Sequence, residues 1–400
     1  MKLAQRVGAL RPTAVNRVLA EARQLQAEGR MLVSLMRGQP DTPTPLAIIE
    51  AAEKALRDGL TGYPDNQGEP ILRQAVAEKL WRDNDLTYDP DREILITDGA
   101  TAGVFVALAV LIEPGDDVLL PDPIYDAYAA PVAIWGGRPV PVRSTVCGGR
   151  FAIERAALEA AYTPKSRVLL LNTPWNPTGT VFTRPELNEC MDFADQNNLH
   201  VISDEIYEAL IYDGCRHVSP ATLCSEARGR CVLVNSLSKT YSMTGWRVGY
   251  CAAPADILRA MLLVWQQFSR GPATFVQHAA AAALTGGQAG VGKMTAEYQD
   301  RRDAVVQALQ GIPGVVPLIS QGGLFVMADV HALGMASDEV RRFLLREAGL
   351  VVMHGSAYGD SGEGTLRISF AAGGKTLEQG LARLREGLKR LHQKSSRKGS

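Results

Sequence analysis

Asn235-Ser-Leu-Ser-Lys239-Thr-Tyr-Ser-Met-Thr-Gly-Trp-Arg247-Val-Gly-Tyr250 decides how this chain reads. One apolar run, Cys231 to Val234, leads into it, and a second, Val248 to Ala253, leads out. A lysine at the end of a buried strand is costly unless its charge is relieved or used. One use is covalent: the amine forms a Schiff base with an aldehyde, while Ser236, Ser238 and Arg247 hold a phosphate. Alone, Lys239 reads more simply as a surface lysine in a Ser/Thr loop. The rest of the chain supplies the partners that overturn that reading.

From about residue 46 to 285, short apolar runs alternate with helical periodicity. Strands are expected at Glu93–Thr97, Asp117–Leu120, Val140–Arg143, Arg167–Asn172, His200–Ser203, Cys231–Asn235 and Arg247–Ala252. Helices are expected at Thr101–Ile112, Arg184–Asn197 and Pro254–Phe268. Buried strands alternating with helices argue an α/β fold with a mostly parallel seven-stranded sheet between helices. In such sheets ligands collect beyond the carboxyl ends of the strands. Ahead of this region, Val15, Val18, Leu19, Ala22 and Leu25 recur near the helical period, and Pro40, Pro43 and Pro45 then break regular structure. From 286 to 395, helices mix with short strands at Leu324–Asp329 and Leu366–Phe370. The expected organisation is a large domain over 46–285, a smaller α+β domain from 1–45 and 286–395, and a disordered tail at 396–400.

With 400 residues, 46% hydrophobic and 21% charged, the chain is long and apolar enough for two packed units. A net charge of −1 offers no field for nucleic acid or an acidic membrane surface. Only the stretch from Arg383 through Arg397 is basic. No apolar run reaches membrane-spanning length, and Met1-Lys-Leu-Ala-Gln-Arg lacks the core of a signal peptide. The cysteines, at 147, 190, 215, 224, 231 and 251, show neither a CxxC pair nor metal-ligand spacing. Reduced thiols in a cytoplasmic protein are the expectation, with no metal.

The remaining polar groups fall at strand ends. Asp98-Gly-Ala-Thr101 closes one strand and opens a helix, where free N–H groups and a hydroxyl make an anion cradle, or simply an Asp-Gly turn with a cap. Asp204 closes His200–Ser203 in Ser-Asp-Glu-Ile-Tyr207; it reads as a helix N-cap or as a carboxylate facing a ring nitrogen. Asn172-Thr-Pro-Trp-Asn176-Pro-Thr-Gly179 fixes a rigid turn that presents Asn176. Arg367, alternating with apolar neighbours, faces either core or cleft and is the residue type suited to a carboxylate. Gly287 to Lys293 imitates a phosphate loop, but Met294 stands where a hydroxyl is required and a helix precedes it, so it reads as a helix-to-helix linker. No well-placed GxGxxG supports a nicotinamide enzyme. An amine, an anion cradle and a carboxylate for a ring nitrogen are together the needs of pyridoxal phosphate.

In order and spacing these motifs resemble the class I/II aminotransferases of the aspartate aminotransferase superfamily (fold type I), from Gly38-Gln-Pro-Asp through Leu-Arg367-Ile-Ser. The resemblance implies a pyridoxal 5′-phosphate enzyme that moves an amino group from an L-amino acid to a 2-oxo acid by a ping-pong route. It implies that Lys239 forms the Schiff base, Asp204 pairs with the ring nitrogen, and Tyr207 and Asn176 bond the ring oxygen. Ser236, Ser238 and Arg247 would hold the phosphate with the backbone at Gly99, Ala100 and Thr101, and Tyr125 would stack on the ring. Tyr63 matches a tyrosine that reaches the neighbouring subunit's phosphate, which implies a homodimer with shared sites. Arg367 and the amide of Gly38 would take the α-carboxylate.

Departures bear on the substrate. Some bacterial aspartate enzymes of this group have a lysine at the position of Thr101 to read an acidic side chain. Arg37 stands as a substitute charge or as the partner of a surface carboxylate, and Trp175 lines the pocket or packs beneath it. With Ile124 apolar, a broad or non-acidic substrate is expected. Lyases and decarboxylases on the same fold share these motifs. A non-catalytic effector-binding module would need a DNA-binding domain ahead of Gly38, where only about thirty residues stand.

Overall fold

Seven strands, all but the edge strand Arg138–Arg143 buried and apolar, form the central sheet of the computed structural model, which describes residues 4–10, 12–223 and 225–398. They are β1 (Ile94–Thr97), β2 (Asp117–Asp122), β3 (Arg138–Arg143), β4 (Ser166–Asn172), β5 (His200–Asp204), β6 (Cys231–Ser236) and β7 (Gly249–Ala252). Their order is β1-β7-β6-β5-β4-β2-β3, and β7 alone runs against the others. Side chains alternate between faces. Ile96, Leu169, Val201 and Leu233 meet helices Leu46–Arg57, Pro70–Asn84 and Thr274–Thr285 on one side. Leu95, Leu170, Ile202 and Val234 meet Ala100–Leu111 and Ala255–Trp265 on the other. Both faces are covered over the central strands, which therefore read as apolar runs without alternation, while the edge strand β3 keeps Arg138 and Arg143 exposed.

Register carries the polar ends to one edge. Asn172 pairs with Asp204, and Asp204 lies beside Val234, so β4, β5 and β6 finish together. The first N–H groups of helix Ala100–Leu111 reach the same edge through Gly99.

A second sheet orders β8 (Val316–Pro317), β9 (Phe325–Asp329), β10 (Met353–His354) and β11 (Thr365–Ser369) as β8-β9-β11-β10, all antiparallel. Helices Ala289–Leu309 and Gly374–Lys398 cover it. Val33–Ser34 pairs with Leu350–Val351, and the Ser369 N–H donates to the Leu35 carbonyl at 2.8 Å. The chain's start is thereby tied to this second part. Helix Ala14–Ala27 lays Ala14, Val18 and Ala22 against Met353 and Tyr358.

Several expectations are corrected. Residues 289–293 are the first turns of Ala289–Leu309, not a linker; burial of Tyr298, Arg302, Val305 and Leu309 holds that helix despite its Gly-rich start. Helix Gly374–Lys398 runs through the part of the expected tail that is described, and residues 399–400 lie outside the described residues. Arg247 precedes its strand in a left-handed conformation (φ 55°). Among the described residues no helix is long and apolar enough to cross a membrane.

Candidate active site

Where β4, β5 and β6 end, a cavity of about 590 Å³ opens, within the range of small-molecule sites. Lys239 enters it from the short turn Leu237–Thr240 that follows β6. Its Nζ donates to the Gly38 carbonyl at 2.6 Å. Burial, reinforced by the Arg247 charge and opposed by Asp204, pulls this ammonium down to about 8. An amine so placed spends an appreciable fraction of its time neutral near physiological pH, which a nucleophile requires.

Asp204 is the last residue of β5 and only 4% exposed. Burial raises its carboxyl to about 6, against a hydrogen bond donated by Tyr128 Oη at 2.6 Å. The Ile206 N–H donates to its other oxygen at 3.2 Å, an Asx turn in place of a helix cap. Sequence reasoning missed Tyr128; its signal was the three-residue spacing from Tyr125, whose ring it meets edge-on at 5.2 Å. Asn172 was missed as well. Its Nδ2 donates to the Asp204 carbonyl at 2.9 Å and its Oδ1 accepts the Asn176 N–H at 2.7 Å, locking two strand ends together.

Arg367 sits in β11, is 4% exposed, and faces the cleft rather than the core. Its guanidinium lies 3.9 Å from the centre of the Phe325 ring and donates to the Met36 carbonyl at 2.8 Å and to Asn176 Oδ1 at 3.4 Å. Its Nε is buried without a partner. The planar guanidinium of an arginine that lines a cavity is suited to an acceptor such as a carboxylate.

Opposite, Gly99 (φ 89°) starts helix Ala100–Leu111, and a Cβ there would fall 2.7 Å from Arg247 Nη2. Only glycine lets the guanidinium approach this helix start, whose first N–H groups have no partner within the helix. Ala100, Thr101, Ser238 and Arg247 all line this end of the cavity. The result is an anion cradle. Ser236 behaves differently from expectation: its hydroxyl bonds the Val248 carbonyl at 2.8 Å and caps the Ser238 N–H, and it does not line the cavity.

Tyr125, Tyr207 and Asn176 face the cavity between these ends, with the Tyr125 phenol pushed up to about 12 by burial. Gly38 lines it too, crowded so closely by the Phe325 ring that a Cβ would strike it. Arg37 is exposed at the cavity and makes no ion pair among the described residues. Trp175 packs beneath the site, stacked on Phe182 with its Nε1 on the Pro123 carbonyl, and Ile124 packs half-buried against the core outside the cavity lining. Tyr63 is 92% exposed and stands apart from its own chain's cavity.

The lysine amine, the cradle, the buried acid and the Arg367 guanidinium suit a phosphate-bearing aldehyde with a ring nitrogen, together with a carboxylate substrate. Fold and site are those of a pyridoxal-phosphate enzyme. Its relatives specify the reaction. Residues 30–384 match the family described as Aminotransferase class I and II. An aspartate aminotransferase of Bacillus sp. (strain YM-2) is 36% identical over 96% of this chain and 98% of its own. Aromatic-amino-acid aminotransferase 2 of Thermococcus litoralis is 37% identical over 97% and 99%. The crystal structure of the aspartate aminotransferase from Rhizobium meliloti superposes with a TM-score of 0.93 at 32% identity, covering 98% of this chain and 99% of that one. The chain belongs to the class I and II aminotransferases, enzymes that transfer an amino group with pyridoxal phosphate as cofactor.

Proposed function

We propose that amino transfer runs here in two halves on one site, with Lys239 the amine that would hold the cofactor's aldehyde between turnovers. One amino acid leaves as its 2-oxo acid, and a second 2-oxo acid leaves as an amino acid. When bound, pyridoxal phosphate supplies an aldehyde that carries the nitrogen and a ring that holds the charge left at Cα.

The residues do the rest. Arg367 holds the α-carboxylate beside the Gly38 backbone and so sets which Cα bond stands across the ring. Lys239 Nζ, lowered to about 8, would take the proton from the substrate's Cα and hold it for return. Asp204 would hold the ring nitrogen and keep it protonated, Tyr207 and Asn176 would bond the ring oxygen, and Tyr125 would stack. Ser238, Arg247 and the start of helix Ala100–Leu111 take the phosphate. The observation that carries this reading is that Lys239 and the buried Arg367 line the same cavity, with Asp204 and Arg247 beside them.

For substrate, the relatives are named for aspartate and for aromatic amino acids, so the lining has to choose. Val15, Leu19 and Met36 give it an apolar wall, Thr101 stands without a lysine, and Asp126 adds a carboxylate. That set favours a broad or non-acidic side chain, with Arg37 the one cation left over at the mouth. Tyr63, exposed and outside its own site, suits the phosphate of a second copy in a homodimer. Free thiols at Cys147, Cys190, Cys215, Cys231 and Cys251 agree with work in the cytoplasm.

The test is reductive trapping with borohydride after adding pyridoxal phosphate, followed by peptide mapping and a panel of amino donors. Label on the Lys239 peptide and faster turnover of phenylalanine or leucine than of aspartate are expected. Label elsewhere would refute the Lys239 role, and aspartate far ahead of the others would refute the substrate reading.

A further inference from the structure

Behind the site, on the side of the sheet away from the cavity, lies a second set of buried charges that the reaction does not use. Ser203-Asp204-Glu205-Ile206-Tyr207-Glu208 splits its polar residues two ways. Asp204 and Tyr207 line the active cavity, whereas Glu205 and Glu208 point away from it. Glu205 accepts from Ser203 Oγ at 2.9 Å and Ser219 Oγ at 2.7 Å, and bonds His217 Nε2 at 2.7 Å. Glu208 forms an ion pair with Lys79, and their side chains are only 11% and 8% exposed. It also accepts from Asn235 Nδ2 at 2.7 Å and Asn84 Nδ2 at 2.9 Å. Glu205, Glu208 and His217 stand near enough to one another to ligate a metal, but the Lys79 ammonium already supplies the cation.

From this pair a continuous path leads to the reactive lysine. Asn235, held by Glu208, accepts the Ser236 N–H on its Oδ1 at 2.7 Å. Ser236 in turn caps the Ser238 N–H at 3.2 Å, and Lys239 follows. Leu237 anchors this turn in the core, but a cavity of about 280 Å³, lined by Glu208, Asn235, Ser236 and Leu237 among others, lies against its polar side. A buried ion pair contributes little net stability compared with apolar residues of the same shape, so fold stability alone is a weak reason for one here.

We propose that Glu208, neutralised by Lys79, is a positioning residue for Lys239, acting through Asn235 on the Leu237–Thr240 turn. The inference rests on the proposed Lys239 chemistry. The same anchor, one residue from Tyr207, steadies the β5 end that carries Asp204.

The test pairs K79M/E208L, which removes both charges while keeping volume, with Asn235→Ala, which cuts the path and leaves the ion pair intact. Three readouts are taken: unfolding midpoint, affinity for pyridoxal phosphate by its absorption band, and reactivity of Lys239 toward acetic anhydride against pH in cofactor-free protein. The double variant is expected to fold, with its midpoint lowered by a few degrees because the Asn235 and Asn84 amides lose their acceptor. Both variants should bind pyridoxal phosphate about tenfold more weakly, the loss of one charge-assisted hydrogen bond. Their Lys239 reactivity midpoints should move from that of the wild type, and kcat should fall while KM for the amino acid, set by Arg367, holds. Wild-type affinity and reactivity in a folded K79M/E208L would overturn the proposal. Should the double variant fail to fold, Asn235→Ala decides by the same readouts. If neither folds, the network serves the fold and the proposal falls. A wild-type protein that never captures the cofactor on Lys239 would instead sink the reading beneath it.

Discussion

Replacing Tyr128 with phenylalanine removes one phenol and leaves the ring packing in place. The lost bond is 2.6 Å long and ends on Asp204, whose other oxygen keeps the Ile206 N–H at 3.2 Å. A hydrogen bond to an ionised group contributes roughly 1.5–3 kcal/mol, and a neutral one about 1 kcal/mol. The difference, roughly 0.5–2 kcal/mol at 1.36 kcal/mol per pH unit, moves the Asp204 titration alkaline by about half to one and a half pH units. The wild-type group already titrates at about 6 in the folded chain, against 3.8 ordinarily. The folded state therefore binds this proton more tightly than the unfolded one, and stability declines as pH climbs from about 4 to about 6. Y128F extends that decline toward neutral pH. Urea unfolding of the cofactor-free protein should thus show a loss of roughly 1.5–3 kcal/mol at pH 8 and only about 1 kcal/mol at pH 5. In the loaded enzyme the acid limb of kcat/KM should move alkaline with it. Equal losses at both pH values, with an unmoved limb, would refute the argument that Tyr128 stabilises the charged form of Asp204.

Arg367→Lys keeps the charge but loses the planar fork, so KM for the amino acid should rise roughly ten- to a hundredfold, with the cofactor's absorption band intact; an unchanged KM in steady-state assays would remove the carboxylate from this arginine. Gly99→Ala pushes a methyl to 2.7 Å from Arg247 Nη2 at φ 89°, and a strain of about 1–3 kcal/mol should weaken cofactor binding some ten- to a hundredfold, measured by equilibrium titration. Capture of pyridoxal phosphate by the cofactor-free protein should quicken as pH rises through about 8, where the Lys239 ammonium gives up its proton, and then level off; a stopped-flow profile flat across that interval would contradict the lowered amine.

The sheet was legible because its strands are buried on both faces: a run such as Leu169-Leu-Leu171 has few other places in a soluble chain. Strand ends were less so. Arg247 lies outside β7 because its left-handed backbone turns the guanidinium back toward Gly99, a tertiary demand that local pattern does not carry. The helix from Ala289 was hidden by its glycines, since what fixes it is burial of residues two to five turns further on. In the site, Lys239, Asp204 and Arg367 stood out as charges amid apolar sequence. Tyr128 and Asn172 did not, because an aromatic and an amide carry no such cost, and their worth appears only once β4, β5 and the Tyr125–Tyr128 turn are brought together. Ser236 shows the opposite error. Its hydroxyl looked free for phosphate in sequence, while the fold spends it on the Val248 carbonyl.

The most direct test of the central claim is a half-reaction at stoichiometric enzyme, with one amino acid added and no acceptor. The account predicts one equivalent of 2-oxo acid per site, cofactor left in its aminated form, no free ammonia or carbon dioxide, and restoration of the starting spectrum by a second 2-oxo acid. Continuous release of ammonia or carbon dioxide, with the starting spectrum persisting, would contradict it.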